Sequence, residues 1–160
     1  MIAEASPSLA ACKENLEELF RSEYPSVARL IASITRDPGR SEELAVDVFL
    51  RWDKQRVVEN SPAWLRRTAI HLALDEIRRR RRLERLQAFL PWRAPQVQIE
   101  TQTQVTRALA ALKPREAELL LLRSEGLTYE ELAQACHLTP ASVGTILARA
   151  RKSFEKEYAK

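Results

Sequence analysis

The sequence predicts an all-α protein built from two small helical domains joined by a flexible linker, and three observations support this. Alanine, leucine, glutamate and arginine dominate, while glycine occurs only three times, a composition that favours helices. Apolar residues recur every three or four positions through most of the chain. Residues 91–104 lack that periodicity and contain two prolines among many polar residues. This composition predicts a linker between one domain at 13–90 and a second at 105–160.

Several functional classes are disfavoured by what the sequence lacks. Its apolar runs are too short to span a bilayer, and its start has no basic segment before an apolar stretch, so we expect a cytoplasmic protein. Cys12 and Cys136 lie far apart, which predicts reduced thiols, with Cys136 in a core, rather than a disulfide or zinc site. No Ser-His-Asp set, phosphate-binding loop or metal-ligand cluster occurs, so we predict no catalytic residues, no metal and no cofactor.

Residues 13–40 are predicted to contain two helices. The first begins near Lys13, and Pro25 lies at a break or in the first turn of the second. Asp37-Pro38-Gly39 predicts a loop after them. The apolar residues that share a face are Leu16, Leu19 and Phe20, followed by Val27, Leu30, Ile31 and Ile34.

The next helix is predicted to begin with Ser41 as its N-cap, because glutamates follow in the first turn. Its inward stripe is Leu44, Ala45, Val48, Phe49 and Trp52. Its outward stripe is Glu43, Asp47, Leu50, Arg51 and Lys54. Leu50, an apolar residue among charges, indicates a protein contact, although single exposed leucines are ordinary.

A helix over Trp64 to Arg82 follows a loop at 55–62 and is the segment around which the chain is organised. One face is apolar (Leu65, Ala69, Leu72, Ala73 and Ile77), and the opposite face is polar (Arg67, His71, Asp75, Arg78 and Arg82). Five consecutive arginines repel one another on a helix, and aromatic and cationic residues occur together at its start. We therefore expect the polar face to meet an anionic partner; a merely solvated face is the alternative.

The basic charge of the chain is concentrated in that helix. Residues 64–93 contain nine arginines and three carboxylates, a net +6, whereas residues 1–63 carry −3 and residues 94–160 carry +1. Such a strip suits nucleic-acid phosphates, whose neutralisation releases condensed counterions. An anionic membrane surface is the competing partner, disfavoured because the helix lacks a strongly amphipathic aromatic and leucine face.

Residues 105–160 predict a helix-turn-helix unit. A helix over 105–112 precedes one over 115–125, which has Pro114 in its first turn and ends before Gly126. Thr128 and Glu131 form a capping box that opens a short helix to Ala135, and after a turn at 136–138 Thr139 caps the last helix. That last helix places Val143, Leu147, Ala150 and Phe154 inward, and Ser142, Thr145, Arg149, Lys152 and Lys156 outward. The outward face predicts a DNA recognition helix, with a structural hairpin as the alternative.

Three of these segments, in this order, resemble an extracytoplasmic-function sigma factor of bacterial RNA polymerase. Residues 41–52 resemble the stretch that grips the clamp coiled coil of the polymerase β′ subunit. Residues 63–82 resemble the helix that melts and reads the −10 promoter element, and residues 108–154 resemble the domain that reads the −35 element. The resemblance covers residues 13–158.

The resemblance implies a transcription initiation factor, with a role for each segment. For the −10 element it implies Arg56, Asn60, Trp64, Arg67, His71, Arg78, Arg79 and Arg82, with a flipped base held by the 55–61 loop, Arg67 and His71. For the −35 element it implies Thr128, Tyr129, Ser142, Gly144, Thr145, Ala148, Arg149 and Lys152. For core polymerase it implies Glu43, Asp47, Leu50, Arg51 and Lys54.

The implied partners are core RNA polymerase, through its β′ clamp coiled coil and its β flap, promoter DNA and an anti-sigma factor. No membrane partner is implied, and we expect a monomer when the chain is free. His71 stands where the family commonly has asparagine, and Gly144 and Ile146 stand where it often has lysine or arginine, so an altered sequence preference is expected. Thr145 and Arg149 match the family.

Two alternatives of other classes stay open at this point. A free-standing helix-turn-helix regulator would bind duplex DNA without polymerase, although the Trp64–Arg82 helix and the outward stripe of 43–54 argue against it. An adaptor that sequesters a partner through its N-terminal half would not need DNA, and Gly144 and Ile146 keep that interpretation open.

Overall fold

A computed structural model describes residues 9–55, 61–87, 89 and 103–160, with side chains from residue 16 onward. These residues form helices and no strands, which confirms the all-α prediction. The helices are α1 (Leu9–Thr35), α2 (Pro38–Asp53), α3 (Ser61–Gln87), α4 (Gln104–Ala111), α5 (Pro114–Ser124), α6 (Tyr129–Cys136) and α7 (Pro140–Tyr158). Helices α1 to α3 pack on one another, and α4, α5 and α6 each pack on α7.

The prediction that the chain breaks at Pro25 is wrong, because α1 continues through that residue. A proline inside a helix costs about 3 kcal/mol. Packing on both sides of it offsets that cost: Phe20 meets Phe49 of α2 edge-to-face at 4.8 Å, and Tyr24 lies 6.3 Å from the same ring. Beyond the proline, Ile31 is fully buried. Both halves of α1 therefore pack onto the same neighbours, which holds the helix together.

The start of α2 also differs from the prediction, since Asp37 and not Ser41 is its N-cap. The Asp37 carboxylate accepts a hydrogen bond from the Arg40 backbone N–H at 3.0 Å, and Pro38 occupies the first helical position. Ser41 is buried instead, with its hydroxyl 2.9 Å from that of Thr35. Asp-Pro therefore acts here as a helix start and not as a loop.

The predicted inward stripes are confirmed. All five apolar residues of the α2 stripe and all five of the α3 stripe are buried. In α3, however, Ile70 and Leu74 are buried as well, although neither belongs to the predicted stripe. The helix is therefore covered on more than one face, because elements of the second unit also pack on it.

The caps predicted for the helix-turn-helix unit are present. Gly126 has a positive φ of 90°, and Thr128 and Glu131 form the reciprocal capping box of α6. His137 is left-handed in the turn, and the Thr139 hydroxyl accepts a hydrogen bond from the Ser142 N–H at 3.2 Å. Of the predicted linker at 91–104, only its last two residues are described: Thr103 caps α4, and the helix begins at Gln104.

Candidate nucleic-acid interface

The polar face of α3 meets a carboxylate of the chain itself. Nε of Arg67 lies 2.7 Å and Nε2 of His71 lies 2.9 Å from Oε1 of Glu118 on α5. Nη1 of Arg115 approaches the other carboxylate oxygen at 3.6 Å. The side chain of Glu118 is 4% exposed, whereas those of Arg67 and His71 are 25% and 44% exposed. Arg67 and His71 are therefore paired within the chain while staying partly exposed, and the binding of nucleic acid to this face stays a prediction.

The electrostatics of Glu118 show how strongly it depends on α3. Burial opposes its ionisation, but hydrogen bonds from His71 and Arg67 outweigh that cost and lower its pKa to about 2. Its charge is therefore retained in a nearly dry site by two side chains from the other half of the molecule. Glu118 also accepts a long hydrogen bond, 3.5 Å, from the Cys136 thiol.

The contact between the two halves extends along α3 beyond Glu118. Leu74 falls on the same helical face as Arg67 and is 1% exposed. One turn further, Nη2 of Arg78 donates to the Leu112 carbonyl at 3.4 Å. We call this contact, formed by Arg67, His71 and Arg78 of α3 with Glu118 and Leu112, the seam. The three polar α3 residues are paired with polar groups, and the buried apolar residues of both halves belong to one hydrophobic cluster.

The five consecutive arginines do not form one basic face. Arg80 turns inward, where its Nε lies 2.9 Å from Glu76 and its Nη2 lies 2.8 Å from Asp37, and its side chain is only 8% exposed. Arg79 pairs with the same Glu76 at 2.8 Å. Burial raises the pKa of Glu76, but Arg79 and Arg80 lower it to about 2. The buried carboxylate thus relieves the repulsion within the run, and Arg82 is left exposed at the surface.

The other residues predicted for −10 reading differ in accessibility. Trp64 is half-buried and packs against the core, so only part of its ring is available for stacking. The side chain of Arg79 is 51% exposed even though it is paired. Arg56 and Asn60, and most of the 55–61 loop, lie outside the described residues.

The predicted −35 residues form an open surface. Thr128 and Tyr129 at the start of α6 are exposed, as are Thr145, Ala148, Arg149 and Lys152 on α7, while Ser142 and Gly144 are half-buried. The polar contacts of this surface stay within the second domain, as when the Thr145 hydroxyl donates to the Ala141 carbonyl at 3.2 Å. This is the geometry of a helix-turn-helix whose second helix presents its N-terminal part to a groove.

Arg149 is oriented by a buried carboxylate of α5. Its Nε donates to Oε1 of Glu116 at 2.9 Å, and the Glu116 side chain is 4% exposed. Because the guanidinium group is planar, a carboxylate that holds one of its nitrogens also fixes the directions of its remaining N–H groups. Arg149 therefore keeps 58% of its side chain exposed while being oriented by α5.

The ring of Tyr129 lies beside Gly144 on the recognition surface. A Cβ at Gly144 would lie 3.6 Å from Cε2 of Tyr129, an ordinary contact distance. The guanidinium carbon of Arg123 lies 5.7 Å from the centre of the same ring, within cation–π range. An aromatic ring and a nearby cation thus lie beside Gly144 on this surface.

The outward stripe of α2 is exposed, as predicted, and it borders an apolar groove. The five stripe residues from Glu43 to Lys54 are all exposed, with Leu50 at 54%. Between α1 and α2 lies a groove of about 300 Å³ lined by Leu16, Glu17, Phe20, Val46, Phe49 and Leu50. Leu50 is therefore part of an apolar surface and not a single exposed leucine, which strengthens its interpretation as a contact residue.

Sequence reasoning missed three residues that organise this interface: Glu116, Glu118 and Arg80. Glu118 precedes Leu119 and lies four residues before Leu122, both fully buried. A carboxylate on the apolar face of a helix requires a cationic partner, so a signal was present for a buried pair. No such signal identified Arg80, because a run of five identical residues does not indicate which of them is buried.

Other site classes receive no support within residues the structure describes. No group of three or more potential metal ligands occurs there, and no helix is long and apolar enough to cross a membrane. Cys136 is buried and unpaired, as predicted, and burial raises the pKa of its thiol to about 12, so it stays protonated. The side chain of Cys12 lies outside the described residues.

Comparison with known proteins identifies both halves of the chain. Family models match as "Sigma-70 region 2" over residues 19–83 and "Sigma-70, region 4" over residues 102–154. The chain is 30% identical over 165 aligned positions to "Probable RNA polymerase sigma factor RfaY" of Xanthomonas campestris pv. campestris, covering 92% of this chain and 41% of that protein. It therefore spans about two-fifths of the length of that relative. The sigma factor RpoE of Bartonella quintana, crystallised with the anti-sigma factor NepR, shares the fold with a TM-score of 0.55 at 18% identity, covering 90% of this chain and 96% of that one.

Proposed function

The chain belongs to the sigma-70 family of RNA polymerase sigma factors, and we propose that it is a transcription initiation factor of the extracytoplasmic-function group that directs core RNA polymerase to specific promoters. One observation carries the proposal: a single chain combines an exposed recognition helix, α7, with a separate basic helix, α3. The two correspond to the matched regions 4 and 2. The proposed role requires no covalent chemistry from this chain, because bond formation belongs to the polymerase.

The second domain reads the −35 element in duplex DNA. The exposed hydroxyl of Thr145 and the anchored guanidinium of Arg149 enter the major groove, where base edges present distinct donor and acceptor patterns. Lys152, further along α7, contacts phosphates, and Thr128 and Tyr129 contact the flanking backbone. Gly144 and Ile146 supply no cation at two positions, so affinity depends more heavily on Arg149 and Lys152.

The first domain reads and melts the −10 element. One non-template base leaves the stack and enters a pocket formed by the 55–61 loop, Arg67 and His71, at a cost of a few kcal/mol that contacts and stacking offset. His71 can donate or accept a hydrogen bond to the base. Arg79 and Arg82, which are exposed, hold the phosphates of the separating strands. Arg80 has no part in this role, because it is engaged within the first domain.

Core polymerase binds the outward stripe of α2. Glu43, Asp47, Arg51 and Lys54 provide charges for the β′ clamp coiled coil, and Leu50 with the groove beside it provides the apolar centre that a stable interface needs. The second domain lies near the β flap. An anti-sigma factor is a further partner, by analogy with the complex of RpoE and NepR, and we place the free chain in the cytoplasm as a monomer.

A selection from random DNA tests the proposal and does not require a known promoter sequence. A pool of random duplex DNA is incubated with core polymerase alone, with the chain alone, or with both, and bound DNA is recovered and sequenced. We expect two conserved blocks at a fixed spacing only when both proteins are present. One block recovered by the chain alone would instead support a free-standing regulator, and no enrichment in any sample would overturn both interpretations.

A further inference from the structure

We propose that Arg40, in the first turn of α2, and Arg79 of α3 form a site for one backbone phosphate of single-stranded DNA, with both guanidinium groups held by the buried carboxylate of Glu76. Arg40 has no role in the promoter-reading scheme above. The inference deepens the proposed function, on which its role in promoter melting rests. Binding of DNA by the free chain tests the site without polymerase.

The first argument is that Glu76 holds two accessible arginines from different helices next to each other. Its Oε2 atom accepts hydrogen bonds from Nε of Arg40 at 3.4 Å and from Nε of Arg79 at 3.1 Å, and its Oε1 atom accepts one from Nη2 of Arg79 at 2.8 Å. The side chain of Glu76 is 3% exposed, whereas those of Arg40 and Arg79 are 38% and 51% exposed. Arg80 fixes the same carboxylate from the interior, since its Nε lies 2.9 Å from Oε1. Both accessible guanidinium groups are therefore tethered to a carboxylate that cannot move away.

The second argument is that the tethered arginines keep donors that the chain does not use. A guanidinium group carries five N–H donors. Within the part of the chain that the structure describes, Nη2 of Arg40 and Nη1 of Arg79 donate to no other group. Hydrogen bonding to Glu76 is the main cause that raises the pKa of Arg79, and the positive charge of Arg40 opposes that shift. The two cations therefore lie close enough to repel each other, and a phosphate that accepts hydrogen bonds from both would offset this repulsion.

The third argument is continuity with the arginines already proposed to hold phosphates. Glu76, Arg79 and Arg82 follow one another on α3 at intervals of three residues, so they are neighbours along one side of the helix. Arg40 contacts the first of them, and Arg79 and Arg82 are exposed. The arginines therefore form one row that crosses from α3 to the start of α2. A strand held by Arg82 and Arg79 can continue onto Arg40, which positions it without reading its sequence.

A second carboxylate competes with the phosphate for Arg40, but it can be displaced. Nη1 of Arg40 is paired with Glu43, whose side chain is 67% exposed. Such exposed pairs contribute little, because water can replace either partner. Glu43 also belongs to the outward stripe of α2 that is proposed to bind polymerase, so docking would release Nη1 of Arg40 for the phosphate.

The test compares Arg40→Gln with Arg21→Gln, which removes the same charge from an exposed arginine of α1. Like Arg40, Arg21 forms an ion pair with a glutamate one turn away. We measure binding of a fluorescein-labelled, random-sequence single-stranded oligonucleotide to the full chain by fluorescence anisotropy, over a series of sodium chloride concentrations. Circular dichroism verifies that each variant is folded, which we expect because Glu76 keeps Arg79 and Arg80 when Arg40 is replaced.

We expect Arg40→Gln to weaken binding about twofold to fivefold. The slope of log affinity against log salt concentration should become shallower by about 0.7, the value for one lost phosphate contact on a single strand. Arg21→Gln should leave the slope unchanged. Glu43→Gln, which removes the competing carboxylate, should bind more tightly than Glu42→Gln, which removes the same charge from the adjacent exposed position. This second pair keeps the inference testable if Arg40→Gln does not fold.

Equal slopes and affinities for Arg40→Gln and Arg21→Gln would overturn the inference, as would equal affinities for Glu43→Gln and Glu42→Gln. Competition by millimolar orthophosphate at constant ionic strength, abolished by Arg40→Gln, would also overturn it, because the site would then take free phosphate rather than a DNA backbone. If the expected shifts are present but the promoter selection fails, the proposed function alone is overturned. If the selection succeeds and the slopes are equal, only this site is overturned.

Discussion

Replacing Arg80 by methionine should destabilise the protein far more than the same change at Arg82, two positions away in an unbroken run of arginines. Methionine keeps much of the aliphatic stem but removes the charge and the donors. The substitution removes the hydrogen bonds that Arg80 donates to Glu76 at 2.9 Å, to Asp37 at 2.8 Å and to the Thr35 carbonyl at 3.3 Å. Its side chain is 8% exposed, so water cannot simply replace it.

The size of the effect depends on whether the two carboxylates that Arg80 contacts keep another partner or can be hydrated. Breaking a buried ion pair by removing one partner costs about 3–5 kcal/mol when the other charge is left alone. Glu76 keeps Arg79 at 2.8 Å and Arg40 at 3.4 Å, and Asp37 is 41% exposed and can be hydrated, so the loss is smaller. We expect the free energy of unfolding to fall by about 2–3 kcal/mol. At this chain length that lowers the melting temperature by about 5–10 °C.

Thermal unfolding followed by circular dichroism at 222 nm measures the difference. The Arg82→Met control should change the free energy of unfolding by no more than about 0.5 kcal/mol, because its side chain is exposed. In transcription assays we expect the opposite order. Arg82→Met should lose more activity than Arg80→Met, although the stability of Arg82→Met is normal. Equal melting temperatures for the two variants would refute the assignment of Arg80 to the interior.

Three further predictions concern the interfaces and pH. Asp47→Arg should abolish binding to core polymerase by reversing charge in the docking stripe, whereas Glu125→Arg, an exposed change in the second domain, should not; unchanged affinity in a pull-down would count decisively against that surface. His71→Ala should impair promoter melting more than closed-complex formation, and normal permanganate reactivity in the melted region would rule out the pocket. Because their pKa values are lowered to about 2, Glu76 and Glu118 contribute stability that is present above about pH 4.5 and lost as the pH falls towards 2. The melting temperature should therefore drop across that range, and a flat profile would contradict it.

The sequence was sufficient wherever one helix face decides the structure. The stripes of α2 and α3 follow from apolar spacing alone, and the capping box at Thr128 and Glu131 follows from a local hydrogen-bond pattern. The boundaries it missed, at Pro25 and Ser41, were set by packing of distant residues. Phe49 fixes α1 on one side of the proline, and Thr35 draws Ser41 inward.

The parts of the candidate site that could not be predicted depend on which distant groups meet. Nothing in the spacing of α3 shows that Arg67 and His71 share a carboxylate fifty residues away on α5. Nor does it show that Leu74, on the same side of the helix as Arg67, is buried. Periodicity identifies a helix face as polar or apolar, but the tertiary structure determines which residues that face contacts.

Run-off transcription on a DNA sequence recovered by the selection tests the central claim most directly. Core polymerase is supplied with or without the purified chain, and the 5′ end of the transcript is mapped. We expect a transcript that starts at one fixed distance downstream of the two selected blocks and is at least tenfold more abundant with the chain present. Equal transcript levels with and without the chain would contradict it.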